Sequence, residues 1–222
     1  PKRMVIGGER VDAISGARFA TLDPATGIAF AEVPAGGPED VDRAVASAKK
    51  ALKGPWLKTP PAERGRILTR AAALIRRDKE KLARIETLDC GKPLRESRGD
   101  METAAGYFEY YAGMADKLQG DTIPLGPDYI SFTLHEPVGV TAHIVPWNYP
   151  LVTTARGVAP ALAAGNTAVV KPAEQTPLTA LLLADILAEA GLPAGAYNVV
   201  TGFGPEVGAP LSAHPDVAHV TF

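Results

Sequence analysis

Strand-like and helix-like segments alternate from Val138 to Phe222, and this alternation limits the fold more than any other feature of the chain. Short runs rich in β-branched residues occupy 138–145, 167–171 and 196–201, and a fourth begins near Val217. Strands separated by helices form βαβ units and a parallel sheet. We therefore predict an α/β fold with a Rossmann-like parallel sheet and flanking helices, in which the strand from Val217 pairs within the sheet.

The turns that follow these strands contain the residues best suited to chemistry. Pro146–Pro150 follows the first strand, Pro172–Pro177 the second and Gly202–Gly208 the third. In parallel sheets of this kind, ligands bind at the carboxyl ends of the strands. The segment is therefore typical of a nucleotide-binding domain.

The residues before Val138 show a different organisation. Apolar and polar residues alternate between Met4 and Val33 around glycine-containing turns, which predicts small antiparallel hairpins. The 3–4 spacing of apolar residues then indicates amphipathic helices. Their predicted limits are Pro38 through Leu52, Pro61 to a break near Asp78, a second segment to Asp89, and about Arg95 to Leu118.

A further hairpin is predicted between 121 and 136, where two short extended runs flank Gly126-Pro127-Asp128. A two-stranded ribbon is marginal by itself, so we expect it to pack against something else. The chain is accordingly divided into three parts. These are the hairpins and helical layer at 1–118, the hairpin at 119–137, and the nucleotide-binding segment at 138–222.

Composition excludes several classes of function. The net charge of −2 provides no basic surface for nucleic acid. There is no run of about 18 apolar residues, so no membrane span is expected, and the first residues lack the apolar segment of a secretory signal. The four histidines show no metal-ligand spacing, so we predict no metal site. A single cysteine excludes an internal disulfide and suits the reducing cytoplasm.

Two of the turns contain side chains with both a chemical and a structural interpretation. The amide of Asn148 can donate a hydrogen bond to a developing oxyanion, but an Asn between prolines is equally a turn former or helix cap. Glu174 follows the second strand, where dinucleotide folds bind ribose hydroxyls, and Lys171 lies beside it as a donor. The alternative is an exposed ion pair without function.

The glycines of the third turn and the single cysteine are weaker signals. Gly202–Gly208 departs from the G-x-G-x-x-G fingerprint because its last glycine comes one position late. Taken by themselves, Gly204 and Gly208 indicate only an ordinary strand-to-helix turn. Cys90 is interpreted as structural, because a nucleophilic thiol needs a lowered pKa and the neighbouring Asp89 raises it.

Four sequence segments stand at compatible spacing: PWNYPL at 146–151, APALAAGN at 159–166, KPAEQTP at 171–177 and NVVTGFG at 198–204. Together they closely resemble the NAD(P)-dependent aldehyde dehydrogenase superfamily. The resemblance covers the whole chain in order, including DPATG at 23–27 and GKP at 91–93. It implies an N-terminal portion of such a protein, with the general-base glutamate, the nucleophilic cysteine and the catalytic domain beyond Phe222.

The resemblance also implies roles for individual residues. Asn148 becomes the oxyanion donor, and Tyr149 and Arg156 line the substrate tunnel, although a structural ion pair is an equal alternative for Arg156. A carboxylate at Glu174 repels a 2′-phosphate, which favours NAD while leaving NADP possible. The implied cofactor-binding residues are Ile144, Val145, Pro146, Trp147, Lys171, Pro172, Ala173, Glu174, Gly204 and Gly208.

The function implied for the intact enzyme is oxidation of an aldehyde to a carboxylic acid, with reduction of NAD(P), through a cysteine thiohemiacetal. This chain would supply the cofactor site and the oxyanion donor, and it is expected to be inactive alone. The alternative is a non-catalytic nucleotide-binding fragment, split subunit or pseudoenzyme. Relatives use the hairpin at 119–137 to reach a neighbouring subunit, so we also expect a homodimer or homotetramer, with no nucleic-acid or membrane partner.

Overall fold

The computed structural model describes residues 3–222. In chain order its strands and helices are β1 Met4–Ile6, β2 Glu9–Val11, β3 Arg18–Leu22, β4 Ala29–Pro34, α1 Pro38–Leu52, α2 Pro61–Arg77, α3 Lys79–Cys90, α4 Leu94–Met114, β5 Thr122–Ile123, β6 Ser131–Phe132, β7 Val140–Ile144, α5 Pro150–Ala163, β8 Thr167–Lys171, α6 Leu178–Glu189, β9 Tyr197–Val199, α7 Ala209–Ala213 and β10 Val217–Thr221. One π-helical turn, Gly204–Gly208, precedes α7. The predicted alternation of strands and helices after Val138 is confirmed.

The main sheet has six strands in the order β10-β7-β8-β9-β1-β2. Strands β10, β7, β8 and β9 are parallel, and β10 pairs with β7 as expected for the strand that begins near Val217. The N-terminal hairpin β1–β2 extends the sheet, because β1 runs antiparallel to β9. Asn198 in β9 reinforces this junction by accepting a hydrogen bond of 2.9 Å from the Gly7 N–H. No pattern in the sequence indicated that the first hairpin joins the sheet.

Helices cover both faces of this sheet. Helix α1 packs on one face, where Val41 and Val45 share a buried core with inward residues such as Val169. Helices α5 and α6 lie on the opposite face, and α2, α3 and α4 form an outer layer against them. Successive residues of β8 point to opposite faces, so Val169 and Val170 belong to different cores.

The helical layer confirms the predicted break near Asp78. This residue ends α2 and begins α3, with φ −94° and ψ 10°, outside the geometry of a continuous helix. Helix α3 ends at Gly91, whose φ of 79° is the left-handed conformation that commonly terminates helices. Pro93 then precedes α4, which ends at Met114 rather than at the predicted Leu118.

The predicted hairpin between 121 and 136 is present as the two-residue strands β5 and β6. Its apolar side chains are exposed in the described part of the chain, with Ile130 at 90% and Leu134 at 73% exposure. The ribbon therefore buries little of its own apolar surface. None of the helices described between residues 3 and 222 is long and apolar enough to cross a membrane.

Candidate functional site

The turns that follow the parallel strands begin at one edge of the sheet. Ile144 and Lys171 are register partners at the ends of β7 and β8, and the Val145 N–H donates to the Lys171 carbonyl at 3.0 Å. The Val200 N–H donates in the same way to the Val170 carbonyl at 2.9 Å. The chain thus leaves three neighbouring strands at nearly the same level, which brings the predicted site residues of all three turns to one edge.

Lys171 and Glu174 form an ion pair at the carboxyl end of β8. The Lys171 side chain is buried, and its Nζ donates to Glu174 Oε2 at 2.8 Å. Partial burial acts to raise the pKa of Glu174, but the hydrogen bond and charge of Lys171, together with further hydrogen bonds to the carboxylate, hold the pKa below its usual range. Pro172 and Ala173 are buried between them. The pair is therefore part of the sheet edge rather than the exposed ion pair of the structural interpretation.

A cavity of about 510 Å³ lies against these turns. Each turn contributes to its wall: Trp147 from the first, Glu174 from the second and Phe203 from the third. Residues of β3 and the turn after it close the opposite side, where the ring of Phe19 lies 5.0 Å from that of Phe203. The β3–β4 hairpin thus takes part in the site, and nothing in its sequence signalled this.

Asn148 lies in the exposed turn between Pro146 and Pro150. Trp147 before it and Tyr149 after it are about half exposed. Tyr149 is the N-terminal boundary residue of α5, and its ring lies under the ammonium group of Lys92, 4.5 Å from Nζ to the ring centroid. The Asn148 turn therefore lies between the end of β7 and a helix start that contacts the helical layer.

Two buried carboxylates on α3 cap the helices that follow the first two turns. Glu86 accepts a hydrogen bond from the Leu151 N–H of α5 at 3.1 Å, and Asp89 accepts one from the Leu178 N–H of α6 at 2.9 Å. Burial raises the pKa of Glu86 and raises that of Asp89 to about 7. Sequence reasoning missed both residues. Their signal was an acidic pair three residues apart on the face of α3 that also buries Leu82.

The glycines of the third turn differ in whether the fold could accept a side chain in their place. Gly202 has a φ of 148°, and a Cβ there would lie 2.6 Å from Val207 Cγ2, so this position needs glycine. A Cβ at Gly204 or Gly208 would meet nothing within 4 Å. These two positions border open space, as a surface for close approach of a ligand requires.

Arg156 lies apart from the other predicted site residues. It lines a separate cavity of about 320 Å³ together with His143 and His219. Within residues 3–222 no carboxylate forms an ion pair with it. The described part of the chain therefore offers no partner for the structural alternative, and the tunnel role of Arg156 remains a prediction.

Cys90 is half-buried at the end of α3. Burial raises the pKa of its thiol, and the nearby charges of Glu86 and Asp89 act in the same direction. The thiolate, which is the nucleophilic form, is thus disfavoured. No group of three His, Cys, Asp or Glu side chains among the described residues is arranged to hold a metal ion.

A parallel sheet with polar turns meeting at its carboxyl edge defines an α/β protein of the Rossmann-like class. Residues 11–222 match the sequence pattern of the Aldehyde dehydrogenase family, and the chain belongs to that family.

Individual relatives agree with this assignment. The chain is 50% identical to a hydroxyisobutyraldehyde dehydrogenase of Mycolicibacterium austroafricanum over 100% of its own length and 44% of the relative's. It is 49% identical to a mitochondrial aldehyde dehydrogenase of Equus caballus over 99% of this chain and 45% of the relative. An NAD⁺ complex of an aldehyde dehydrogenase from Bacillus cereus superposes with a TM-score of 0.96 at 45% identity, covering 98% of this chain and 45% of that one. The chain thus spans about half the length of these relatives.

Proposed function

We propose that the protein to which this chain belongs is an NAD-dependent aldehyde dehydrogenase that oxidises an aldehyde to a carboxylic acid. One observation carries the proposal: the Asn148 turn and the Lys171–Glu174 pair leave adjacent strands at the same edge of the sheet. Adjacent strands lie about 4.8 Å apart. The turn assigned to the reacting carbonyl and the turn assigned to the adenosine ribose therefore lie on the same edge of the sheet, along which an extended dinucleotide can bind.

The residues of the second turn fit the adenosine ribose of a bound dinucleotide. Glu174 Oε2 accepts from Lys171, the carboxylate has further lone pairs to accept a hydrogen bond from a ribose hydroxyl, and the Lys171 ammonium has further donors. The open positions at Gly204 and Gly208 leave room for the nucleotide beside the third turn. NAD bound there would accept the hydride that the aldehyde loses. A 2′-phosphate would meet the Glu174 carboxylate, which supports NAD over NADP.

The first turn suits stabilisation of a developing oxyanion. When a nucleophile attacks an aldehyde, the carbonyl oxygen gains negative charge, and a fixed amide N–H lowers the energy of that state. The Asn148 side chain is exposed at the sheet edge, and its turn is anchored on both sides by β7 and α5. We assign the attack, which forms a thiohemiacetal, to a cysteine of the whole protein that is not among these 222 residues. Cys90, the single cysteine of this sequence, is unsuited because burial disfavours its thiolate.

An activity assay of the whole protein tests this function. The purified protein, incubated with NAD and a panel of short aliphatic, aromatic and carboxylate-bearing aldehydes, is expected to form NADH and the corresponding acid in equal amounts. NADP should support a lower kcat/KM. Tight NAD binding without NADH formation from any aldehyde would instead support a non-catalytic nucleotide-binding protein.

The exposed hairpin supports a homo-oligomeric assembly. Ile130 and Leu134 lie on a ribbon of two-residue strands that has no core of its own. A second copy of the same chain supplies the apolar surface that such a ribbon needs, and we propose a homodimer or homotetramer. The cytoplasmic location stays a prediction, since the Equus caballus relative is named as mitochondrial.

A further inference from the structure

Helix α5 begins without a cap of its own. Tyr149, at the boundary position, has φ −136° and ψ 64° and makes no side-chain capping hydrogen bond. Pro150 follows and has no N–H, so the Leu151 N–H is the first free donor of the helix. Glu86 of α3 accepts from that N–H through Oε2 at 3.1 Å, and this carboxylate is fully buried. The start of α5 is therefore held by a distant helix rather than by its own sequence.

Lys92 connects this cap to the residue that follows Asn148. Its Nζ donates to Glu86 Oε1 at 3.1 Å and to Asp100 Oδ2 at 2.6 Å. The same ammonium lies 4.5 Å from the centroid of the Tyr149 ring, within the range of a cation–π interaction. Lys92 thus contacts Tyr149 directly and Leu151 through Glu86, so it engages both residues that flank Pro150.

Lys92 keeps its positive charge at neutral pH. Burial acts to lower the pKa of Lys92, but the hydrogen bond to Asp100 and the charge of Glu86 outweigh it, and the net shift is upward. The side chain is only 13% exposed, which distinguishes it from the surface pair of Lys79 and Glu102 on the same helical layer. Partly buried contacts of this kind are screened less by solvent and fix geometry more firmly than surface pairs.

We propose that Lys92, with Glu86 and Asp100, is a positioning group that fixes the Asn148 turn through Tyr149 and Leu151. This inference rests on the proposed function, because it assigns the cluster to the orientation of the oxyanion donor. The donor must be aimed at the place where charge develops, and a displacement of about 1 Å can cost about a hundredfold in rate. Lys92 itself contacts no reacting atom in this role.

Replacement of Lys92 by Met in the whole protein tests the proposal. Lys92→Met keeps the length of the side chain and removes the ammonium, so kcat should fall about ten- to a hundredfold while NAD affinity stays unchanged. Hydrogen exchange of the 147–152 backbone should become about tenfold faster, because Glu86, the acceptor for the Leu151 N–H, loses the ammonium that holds it in place. Lys92→Arg should restore part of kcat, and Lys79→Met is the matched control that should change neither readout.

The outcomes separate positioning from general stability. Unchanged kcat and exchange in Lys92→Met overturn the proposal, as does a parallel loss of kcat, NAD affinity and thermal stability. If the single variant does not fold because the Glu86 and Asp100 carboxylates then face each other, Lys92→Met with Glu86→Gln removes the ammonium and the buried carboxylate together and should show the same fall in kcat. A wild-type protein that lacks aldehyde oxidation refutes the proposed function, whereas the exchange measurement still decides the positioning role.

Discussion

Asp89 accepts a hydrogen bond of 2.9 Å from the backbone N–H of Leu178, which lies 89 residues later in the chain. The same carboxylate accepts a second hydrogen bond from the Thr21 hydroxyl at 2.9 Å. The β3–β4 hairpin, the helical layer and the start of α6 are therefore joined at one buried group. Since α6 begins directly after the Lys171–Glu174 turn, this contact fixes the position of the turn against the sheet.

Asn148→Ala should separate the roles of the first two turns. We expect kcat and kcat/KM to fall together by about 10² to 10³, the usual consequence of removing one oxyanion donor. NAD affinity should stay nearly unchanged, because the ribose contacts are assigned to the second turn. Steady-state kinetics with a cofactor titration measure both effects. Asn148→Asp, which keeps the shape but lacks the donor, should behave like Ala, and a loss confined to NAD affinity would contradict the assignment.

Glu174→Gln should have the opposite effect. The amide accepts a weaker hydrogen bond than the carboxylate and leaves the Lys171 charge uncompensated, so the dissociation constant of NAD should rise about tenfold. At saturating NAD, kcat should stay close to that of the wild type. Calorimetric titration with NAD and NADP measures the change. Glu109→Gln, which alters a surface ion pair with Arg76, is the control. Equal NAD affinity in Glu174→Gln and wild type would remove the ribose role.

Cys90→Ser should leave aldehyde oxidation intact. The thiol is half-buried and its pKa is raised, so it is a poor nucleophile. We expect kcat within about a factor of two of the wild type, since conservative changes away from reacting atoms cost little. Mass spectrometry after brief alkylation should also find Cys90 largely unmodified. Complete loss of activity in Cys90→Ser, with unchanged thermal stability, would reassign the nucleophile to this residue.

Ile130→Glu should weaken assembly. Ile130 is 90% exposed on the β5–β6 hairpin, and a charge buried in an interface without a partner is strongly unfavourable. Light scattering should show a smaller mass for the variant than for the wild-type homodimer or homotetramer. Ile28→Glu is the matched control, because Ile28 is also exposed but lies on the turn before β4. A wild-type protein that is monomeric at micromolar concentration would contradict the assembly proposal.

His143 should make the protein less stable at acidic pH. The Thr141 hydroxyl donates to the Thr167 carbonyl at 2.9 Å, so His143 Nε2 is the donor to Thr141 Oγ1 and Nδ1 is left without a proton or partner. Burial lowers the pKa of His143 to about 4, below its value of about 6.5 in the unfolded chain. Above that unfolded value the full stability is present, and it is lost progressively as the pH falls from about 6.5 toward the folded pKa of about 4.

The measurement is the free energy of unfolding in urea at pH 7 and pH 4.5. The decrease on acidification should be smaller in His143→Asn, which does not titrate, than in the wild type. His135→Gln, at an exposed position, is the control and should follow the wild-type decrease. An identical pH dependence in His143→Asn and wild type would show that this histidine does not control acid stability.

Much of the fold follows from local patterns in the sequence. The predicted strand 167–171 is β8, which a short run rich in β-branched residues indicated, and the predicted helix from Pro38 through Leu52 is α1, which the 3–4 spacing of its apolar residues indicated. The sequence also predicted a break near Asp78, and the structure places the boundary between α2 and α3 at that residue. The placement of Lys171 and Glu174 at a sheet edge followed from their position after a strand, which is a local property.

The contacts that complete the site are long-range, and only the tertiary structure decided them. The sequence indicates only that Glu86 and Asp89 belong to an amphipathic helix. In the packed structure their carboxylates accept hydrogen bonds from the first turns of α5 and α6 and so cap those helices. Phe19 forms part of the cavity wall because β3 packs against the third turn. The apolar pattern of a segment states that a face is buried but not against what, so the partners of these side chains depend on how the layers assemble.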